Sequence, residues 1–187
     1  RRVLFRSRDT YTAIFGRYIT SVRPNDGQYH LSEGWEVVLE NFDPSSWTVG
    51  LAVGYKFGAP EPLKQDKRLR AGLSTGYMFT GNRGLIISAE IDHLTQVSKS
   101  TSLSYGLLLE NLFGKQQDGG NCSSVMLSAG FEVCQPQNAW FWGAKLLAGI
   151  GEAPVSDFGY AEDYVIENIS KKPCAKGALQ LTTGFKL

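Results

Sequence analysis

Large apolar side chains alternate with small or polar ones along most of this chain. Segment 47–57, WTVGLAVGYKF, is the clearest case, and its apolar face is formed by Trp47, Val49, Leu51, Val53, Tyr55 and Phe57. Successive side chains of a β-strand point to opposite faces, so the segment predicts a strand with one apolar face. Its length exceeds the ~5–6 residues typical of soluble strands and matches the roughly 9–11 residues that a tilted strand needs to cross a bilayer.

The same alternation recurs along the rest of the chain. It is clear in 68–80, 84–94, 102–113, 124–134, 139–150 and 175–187, and weaker in 11–21 and 29–41. Turn-forming sequences such as PNDG at 24–27 separate these segments, whereas 151–174 alternates poorly and its length predicts an elaborated loop. No linker divides 8–187, so we predict one all-β domain, an antiparallel up-and-down transmembrane β-barrel of about 8–10 strands.

The face opposite the apolar one indicates whether these strands line a barrel lumen or face solvent. Gly, Ser, Ala and Thr dominate this face, whereas the outer face of a soluble sandwich would be rich in Lys, Glu and Thr. Small residues suit a narrow barrel lumen, in which charges must be paired or hydrated because isolated buried charges are costly. We predict a plugged lumen with a charge network formed by Glu36, Glu40, Lys56, Arg68, Arg70, Glu90, Asp92, Glu110, Glu132, Lys145 and Lys186.

Aromatic residues cluster near the ends of the predicted strands. In transmembrane barrels, aromatic side chains form girdles at both membrane interfaces. The predicted interface aromatics are Trp47, Tyr55, Phe57, Tyr77, Phe79, Trp140, Trp142 and Phe185. No apolar run in the sequence is long enough for a transmembrane helix.

The long alternating strands and the C-terminal strand ALQLTTGFKL resemble those of small bacterial outer-membrane β-barrel proteins. That family typically closes with a strand that ends in an aromatic or apolar residue; here the aromatic is Phe185 and the last residue is Leu187, where Phe is commoner. The resemblance implies a location in the outer membrane of a Gram-negative bacterium, in contact with outer-membrane lipid. It also implies a structural, adhesion or surface-interaction role through outer loops, chiefly 151–174, which could contact an extracellular ligand or protein.

The resemblance places the C-terminus in the periplasm and therefore 151–174 outside the cell. QPQN at 135–138 then becomes a short periplasmic turn, whereas the ten-residue connection 58–67 fits this side poorly. Bacterial barrels normally have an even number of strands. Nine predicted strands therefore imply either that a first strand is lost or that 11–21 is not a strand.

The first seven residues, RRVLFRS, resemble the translation of a common sequencing adapter. We therefore expect 1–7 to be non-native, in a metagenomic fragment that has lost its signal peptide. Without Arg1, Arg2 and Arg6 the formal net charge falls from +1 to −2. Nucleic-acid binding requires clustered cations, so we predict no nucleic-acid partner.

Three cysteines allow one plausible disulfide. Cys122 and Cys134 lie at opposite ends of one predicted strand, which is too far for a bond. Cys122 and Cys174 lie at the same barrel end in the expected topology, so we predict a Cys122–Cys174 disulfide in an oxidising compartment. No Cys or His spacing suggests zinc, and we predict no metal and no cofactor.

Two other functions stay open. His30 and Ser32 form an H-x-S pair similar to that of outer-membrane lipid A deacylases, although Glu33 follows where that family has Asn. This weak pair is the only candidate for catalysis, in a lipid-modifying outer-membrane enzyme. A secreted soluble β-barrel or sandwich that acts as a binding module is the third possibility, and we favour a non-enzymatic role.

Overall fold

The computed structural model describes residues 10–22, 45–57, 67–80, 83–114, 120–134, 139–161 and 164–187. These residues form an all-β structure of eight antiparallel strands joined in sequence order into a closed barrel. The strands are β1 (Thr10–Val22), β2 (Ser45–Phe57), β3 (Lys67–Met78), β4 (Gly84–Gln96), β5 (Thr101–Gly114), β6 (Asn121–Cys134), β7 (Trp140–Ala161) and β8 (Tyr164–Lys186). The predicted fold class, an up-and-down antiparallel barrel, is confirmed.

The first and last strands close the barrel. Phe15 of β1 lies opposite Gly50 of β2 on one side and opposite Thr182 of β8 on the other. Because the strand number is even, β1 begins and β8 ends at the same edge of the barrel, which we call the terminal rim. The opposite edge, beyond which β7 and β8 extend, is the hairpin rim.

The strand count differs from the nine segments predicted. The suggestion that 11–21 is not a strand is wrong, because Thr10–Val22 pairs along its length with both neighbours. Segment 29–41 lies outside the described residues, as do residues 1–7. Since β1 pairs directly with β8, the barrel closes without a ninth strand.

Segment 151–174, expected to be an elaborated loop, is instead mostly regular strand. β7 and β8 remain paired from Trp140 and Phe185 as far as Ala161 and Tyr164. The pairing of β6 with β7 ends at Gly151, and that of β1 with β8 ends at Ala175. Beyond these residues each of the two strands has only the other as its partner among the described strands, so a two-stranded ribbon projects from the hairpin rim.

Two glycines on neighbouring strands make room for a large ring in the lumen. A Cβ atom at Gly54 of β2 would overlap the ring of Tyr11, and one at Gly72 of β3 would lie 2.6 Å from the Tyr11 hydroxyl. An eight-stranded barrel is only wide enough for its side chains to fill it. Small residues on the inner face of one strand therefore leave the space that bulky side chains from other strands occupy.

Candidate functional site

The inward positions of the strands carry a dense set of charges. Five cations and four carboxylates, each buried or half-buried, form ion pairs within the described part of the lumen: Arg17, Lys56, Arg70, Lys145 and Lys186 with Glu90, Asp92, Glu110 and Glu132. Inward-pointing positions on separate strands bring these residues together across the barrel, although they are far apart in sequence.

Asp92 is the centre of the network. Its side chain is fully buried, and its Oδ2 atom accepts hydrogen bonds from Arg70 Nη2 at 2.5 Å and from Lys145 Nζ at 2.6 Å. The Ser128 hydroxyl donates to the other oxygen at 3.1 Å. Arg70 and Asp92 are directly opposite on β3 and β4, so the strand register itself fixes the shortest of these contacts.

Two further carboxylates, Glu90 and Glu132, extend this network to other strands. Glu90 accepts from Lys145 Nζ at 3.0 Å and from the Tyr11 hydroxyl at 2.9 Å. Glu132 accepts from Arg70 Nη1 at 2.8 Å and forms ion pairs with Lys56 and Lys186. Charge-assisted hydrogen bonds of this kind satisfy carboxylates that burial would otherwise destabilise.

A second charge pair lies closer to the hairpin rim. Arg17 donates to Glu110 through Nη1 and to the side-chain oxygen of Gln180 through Nε, the latter at 2.9 Å. The Ser88 hydroxyl also donates to Glu110, at 3.2 Å. Sequence reasoning missed Arg17 and Gln180; the signal in the sequence was the position of Arg17 two residues from Phe15 and Ile19, which share its inward face.

An apolar cluster fills the lumen above the charges, at the hairpin rim. Its buried members are Ile19, Met78, Ile86, Leu108, Leu112, Cys122, Met126, Leu147 and Ala178. The polar part of the lumen contains a cavity of about 30 Å³ beside Arg70, Glu90 and Lys145, which has room for about one or two water molecules. The described side chains therefore occupy most of this part of the lumen.

The outer surface has the opposite character. All eight predicted interface aromatics are exposed, and Tyr105, Phe113 and Phe131 join them near the strand ends. Between the two aromatic bands the outward positions are aliphatic, with Leu127, Leu146 and Ile150 each about two-thirds exposed or more, at 68%, 66% and 70%. No Asp, Glu, Lys or Arg occupies an outward position between these bands in the described strands. We call this surface the apolar belt.

The structure places most of the predicted lumen residues in the ion-pair network. Eight of the eleven take part: Lys56, Arg70, Glu90, Asp92, Glu110, Glu132, Lys145 and Lys186. Arg68 is half-buried near the terminal rim and has interactions of its own. Glu36 and Glu40 lie outside the described residues, as do the weak catalytic candidates His30 and Ser32.

The predicted Cys122–Cys174 disulfide is not formed. Both side chains are buried on the inner face near the hairpin rim, but β7 lies between their strands. Two strand spacings amount to about 9–10 Å, which exceeds the Cα separation of about 7 Å at which a disulfide becomes impossible. The prediction placed the two residues at the correct end of the barrel and overlooked the intervening strand.

The described residues offer little for metal or acid–base chemistry. No group of three or more His, Cys, Asp or Glu side chains among them could hold a metal ion. His93 points outward, stacks on Tyr105 with 4.8 Å between ring centroids, and has Thr95 as its side-chain hydrogen-bond partner at 3.4 Å. The ion-pair network and the apolar cluster can hold buried charges in place and limit the entry of solvent into the lumen.

Comparison with known proteins adds no family. Among the described residues, no helix is long and apolar enough to cross a membrane. No protein-family model matches the sequence, and no curated protein is similar to it at a significant level.

Proposed function

We propose that this chain is an outer-membrane β-barrel with a structural or surface-interaction role. The observation that carries the proposal is the apolar belt. Monomeric soluble proteins rarely expose a contiguous apolar patch above a few hundred Å², whereas here uncharged aliphatic side chains surround the barrel between two aromatic bands. A lipid bilayer is the solvent that such a surface fits.

The dimensions of the belt support a bilayer. The outward residues of β2 run from Trp47 to Phe57, which corresponds to about 33 Å along the strand. At the ~35–45° tilt of transmembrane barrels this becomes roughly 25 Å along the barrel axis, the height of the apolar band in outer-membrane proteins.

The filled lumen favours an anchoring role over transport. Solutes would have to displace the apolar cluster at the hairpin rim and then break ion pairs such as that between Arg17 and Glu110. The β7–β8 ribbon is the described element that projects farthest from the barrel. In the orientation with a periplasmic C-terminus it extends outside the cell, where it would contact a ligand, a protein or a neighbouring surface.

Neither alternative function gains support from a particular contact. A soluble binding module would leave the apolar belt in water. The enzyme hypothesis depends on His30 and Ser32, which lie outside the described residues. Within the described part of the chain, His93 has no carboxylate among its side-chain hydrogen-bond partners.

Membrane fractionation combined with heat-modifiable gel migration tests the proposal. The chain, expressed with a secretory signal in a Gram-negative host, is expected in the outer-membrane fraction and should migrate faster unheated than boiled. In planar bilayers the purified protein should give no steady conductance. Recovery as a soluble periplasmic protein that needs no detergent would overturn the membrane assignment, and a stable open conductance would overturn the non-conducting role.

A further inference from the structure

Among the described residues, the ion-paired charges of the lumen near the terminal rim do not balance. In the network centred on Asp92, four cations (Lys56, Arg70, Lys145 and Lys186) meet three carboxylates (Glu90, Asp92 and Glu132). Arg70 and Lys145 contact Asp92, and Lys145 also contacts Glu90, so these four groups neutralise one another in pairs. The excess positive charge is therefore located among Lys56, Lys186 and Glu132.

Glu132 is shared by three cations. The ammonium groups of Lys56 and Lys186 both approach its Oε1 atom, at 3.4 Å and 2.6 Å, while Arg70 Nη1 lies 2.8 Å from Oε2. Two ammonium groups on one carboxylate oxygen repel each other and retain a net positive charge. Lys186 also has a side-chain hydrogen bond with Cys134. Each ammonium has three N–H donors, so the pair still has donors beyond its bonds to Glu132 and Cys134.

The two lysines are partly desolvated but still reachable from the rim. Each is the last inward-facing residue of its strand, and their side chains are 10% and 15% exposed. The Nζ atom of Lys186 lies 5.4 Å from the centroid of the Phe141 ring, which lines the lumen beneath it. A charge that the described carboxylates leave uncompensated in such surroundings is strongly attracted to a counter-ion, because the local dielectric constant is low.

We propose that Lys56 and Lys186 bind an oxyanion of the phosphate type at the terminal rim of the lumen. A tetrahedral phosphate accepts hydrogen bonds from both ammonium groups at once, and compact ammonium charges are common phosphate ligands in proteins. The same chemistry occurs in free phosphate and in the phosphomonoester headgroup of a lipid. A lipid source follows from the proposed function, since the outward aromatics Phe57 and Phe185 would lie at headgroup level; binding of free phosphate does not require it.

The first experiment uses inorganic phosphate as the probe. The purified full chain, in a non-ionic detergent, is unfolded by heating at increasing phosphate concentration, with ionic strength held constant by chloride. The unfolding midpoint of the unmodified protein should rise, and half-saturation should require at least tenfold more phosphate in Lys56→Gln and in Lys186→Gln. Lys99→Gln is the matched control, because it removes an exposed lysine from the same rim and should leave the response unchanged.

Two further measurements complete the test: a variant that should strengthen phosphate binding, and a comparison of lipid vesicles. Glu132→Gln removes the competing carboxylate and should lower the half-saturating phosphate concentration several-fold. The lipid arm compares phosphatidylcholine vesicles with and without phosphatidic acid; stabilisation by phosphatidic acid that requires both lysines supports the site with a lipid headgroup as its ligand. If Lys56→Gln and Lys186→Gln respond like the unmodified protein in both arms, or if nothing responds in either, the proposal is wrong.

Discussion

At the scale of single residues, the stability of the barrel should be sensitive to mutation of the buried ion pair between Arg17 and Glu110. Glu110→Gln leaves the guanidinium of Arg17 in the lumen without its carboxylate, and an uncompensated buried charge costs about 3–5 kcal/mol. We expect a loss of that size in the free energy of unfolding, measured by urea titration of the purified barrel. Glu152→Gln is the control, since its side chain accepts a hydrogen bond from the Ser123 amide at the rim and glutamine can accept the same bond.

The double variant Arg17→Met with Glu110→Leu distinguishes this explanation from a general loss of packing. Removing both charges and filling the space with apolar atoms is often neutral for buried ion pairs. The double variant should recover at least half of the stability lost in Glu110→Gln. A double variant less stable than either single variant would contradict the view that the unpaired charge is what costs stability.

The outward face of the barrel could be predicted residue by residue, whereas part of the inward face could not. All eight predicted interface aromatics are on the outside, because strand alternation puts every second side chain on the same face. β1 departs from this pattern, since Tyr11 and Phe15 point inward and Thr12 points outward. The lumen limits the total volume of the side chains that all strands contribute. The large ring of Tyr11 on β1 is therefore compensated by glycines on β2 and β3. A pattern within one segment cannot predict this relation between strands.

The compensation of Tyr11 by Gly54 is directly testable. Gly54→Ala would place a methyl group within the Tyr11 ring, and overpacking of this kind typically costs about 1–3 kcal/mol. Gly16→Ala is the matched control, because nothing lies within 4 Å of its outward Cβ position, and it should be neutral in urea unfolding. Tyr11→Ala removes the ring that the new methyl group would overlap. In the Tyr11→Ala background, Gly54→Ala should therefore lower the free energy of unfolding little further. A full additive loss in the double variant would rule out the steric explanation.

At the scale of elements, the sequence predicted the strands within the barrel and not the ribbon beyond it. Between the rims, one face contacts the lumen and the other the surroundings, so polarity alternates with a period of two. Beyond Gly151 and Ala175 the described strands β7 and β8 pair only with each other, so neither face of this ribbon lines the barrel lumen. Segment 151–174 therefore lost its alternation although its backbone remains extended and paired.

The ribbon should be separable from the barrel. Replacing 154–171 by Asn-Gly joins Ala153 to Lys172, which are already opposite each other, through a dipeptide that favours a tight type I′ turn. Urea unfolding should show a change within about 0.5 kcal/mol, the range of substitutions away from packed features. A deeper excision that joins Gly149 to Lys176 removes the pairs Val125–Ile150 and Val22–Ala175 and should destabilise the barrel. Equal losses in both variants would mean that the ribbon supports the barrel.

At the scale of the whole molecule, polarity is reversed relative to a soluble domain. Charged residues fill the terminal half of the lumen, an apolar cluster fills the hairpin end, and aliphatic side chains surround the outside. The sequence predicted this inversion, since small and charged residues lie on one face of each predicted strand and large apolar residues on the other. It could not predict closure at eight strands, because closure depends on the direct pairing of β1 with β8, two segments at opposite ends of the described chain.

If the apolar belt lies in a bilayer, the cost of a charge on it should depend on depth. Leu127 lies at the middle of β6 and Leu103 is two residues from the terminal end of β5, and both are exposed. In phosphatidylcholine vesicles, Leu127→Arg should lower the free energy of unfolding by about 2–4 kcal/mol, and Leu103→Arg by about 0–1 kcal/mol, as measured by urea titration. Water around the belt would make both substitutions nearly neutral, since exposed surface changes rarely exceed ~0.5 kcal/mol. Equal, small effects at both positions would therefore contradict a membrane location, whereas a gradient from middle to rim is a signature that water cannot produce.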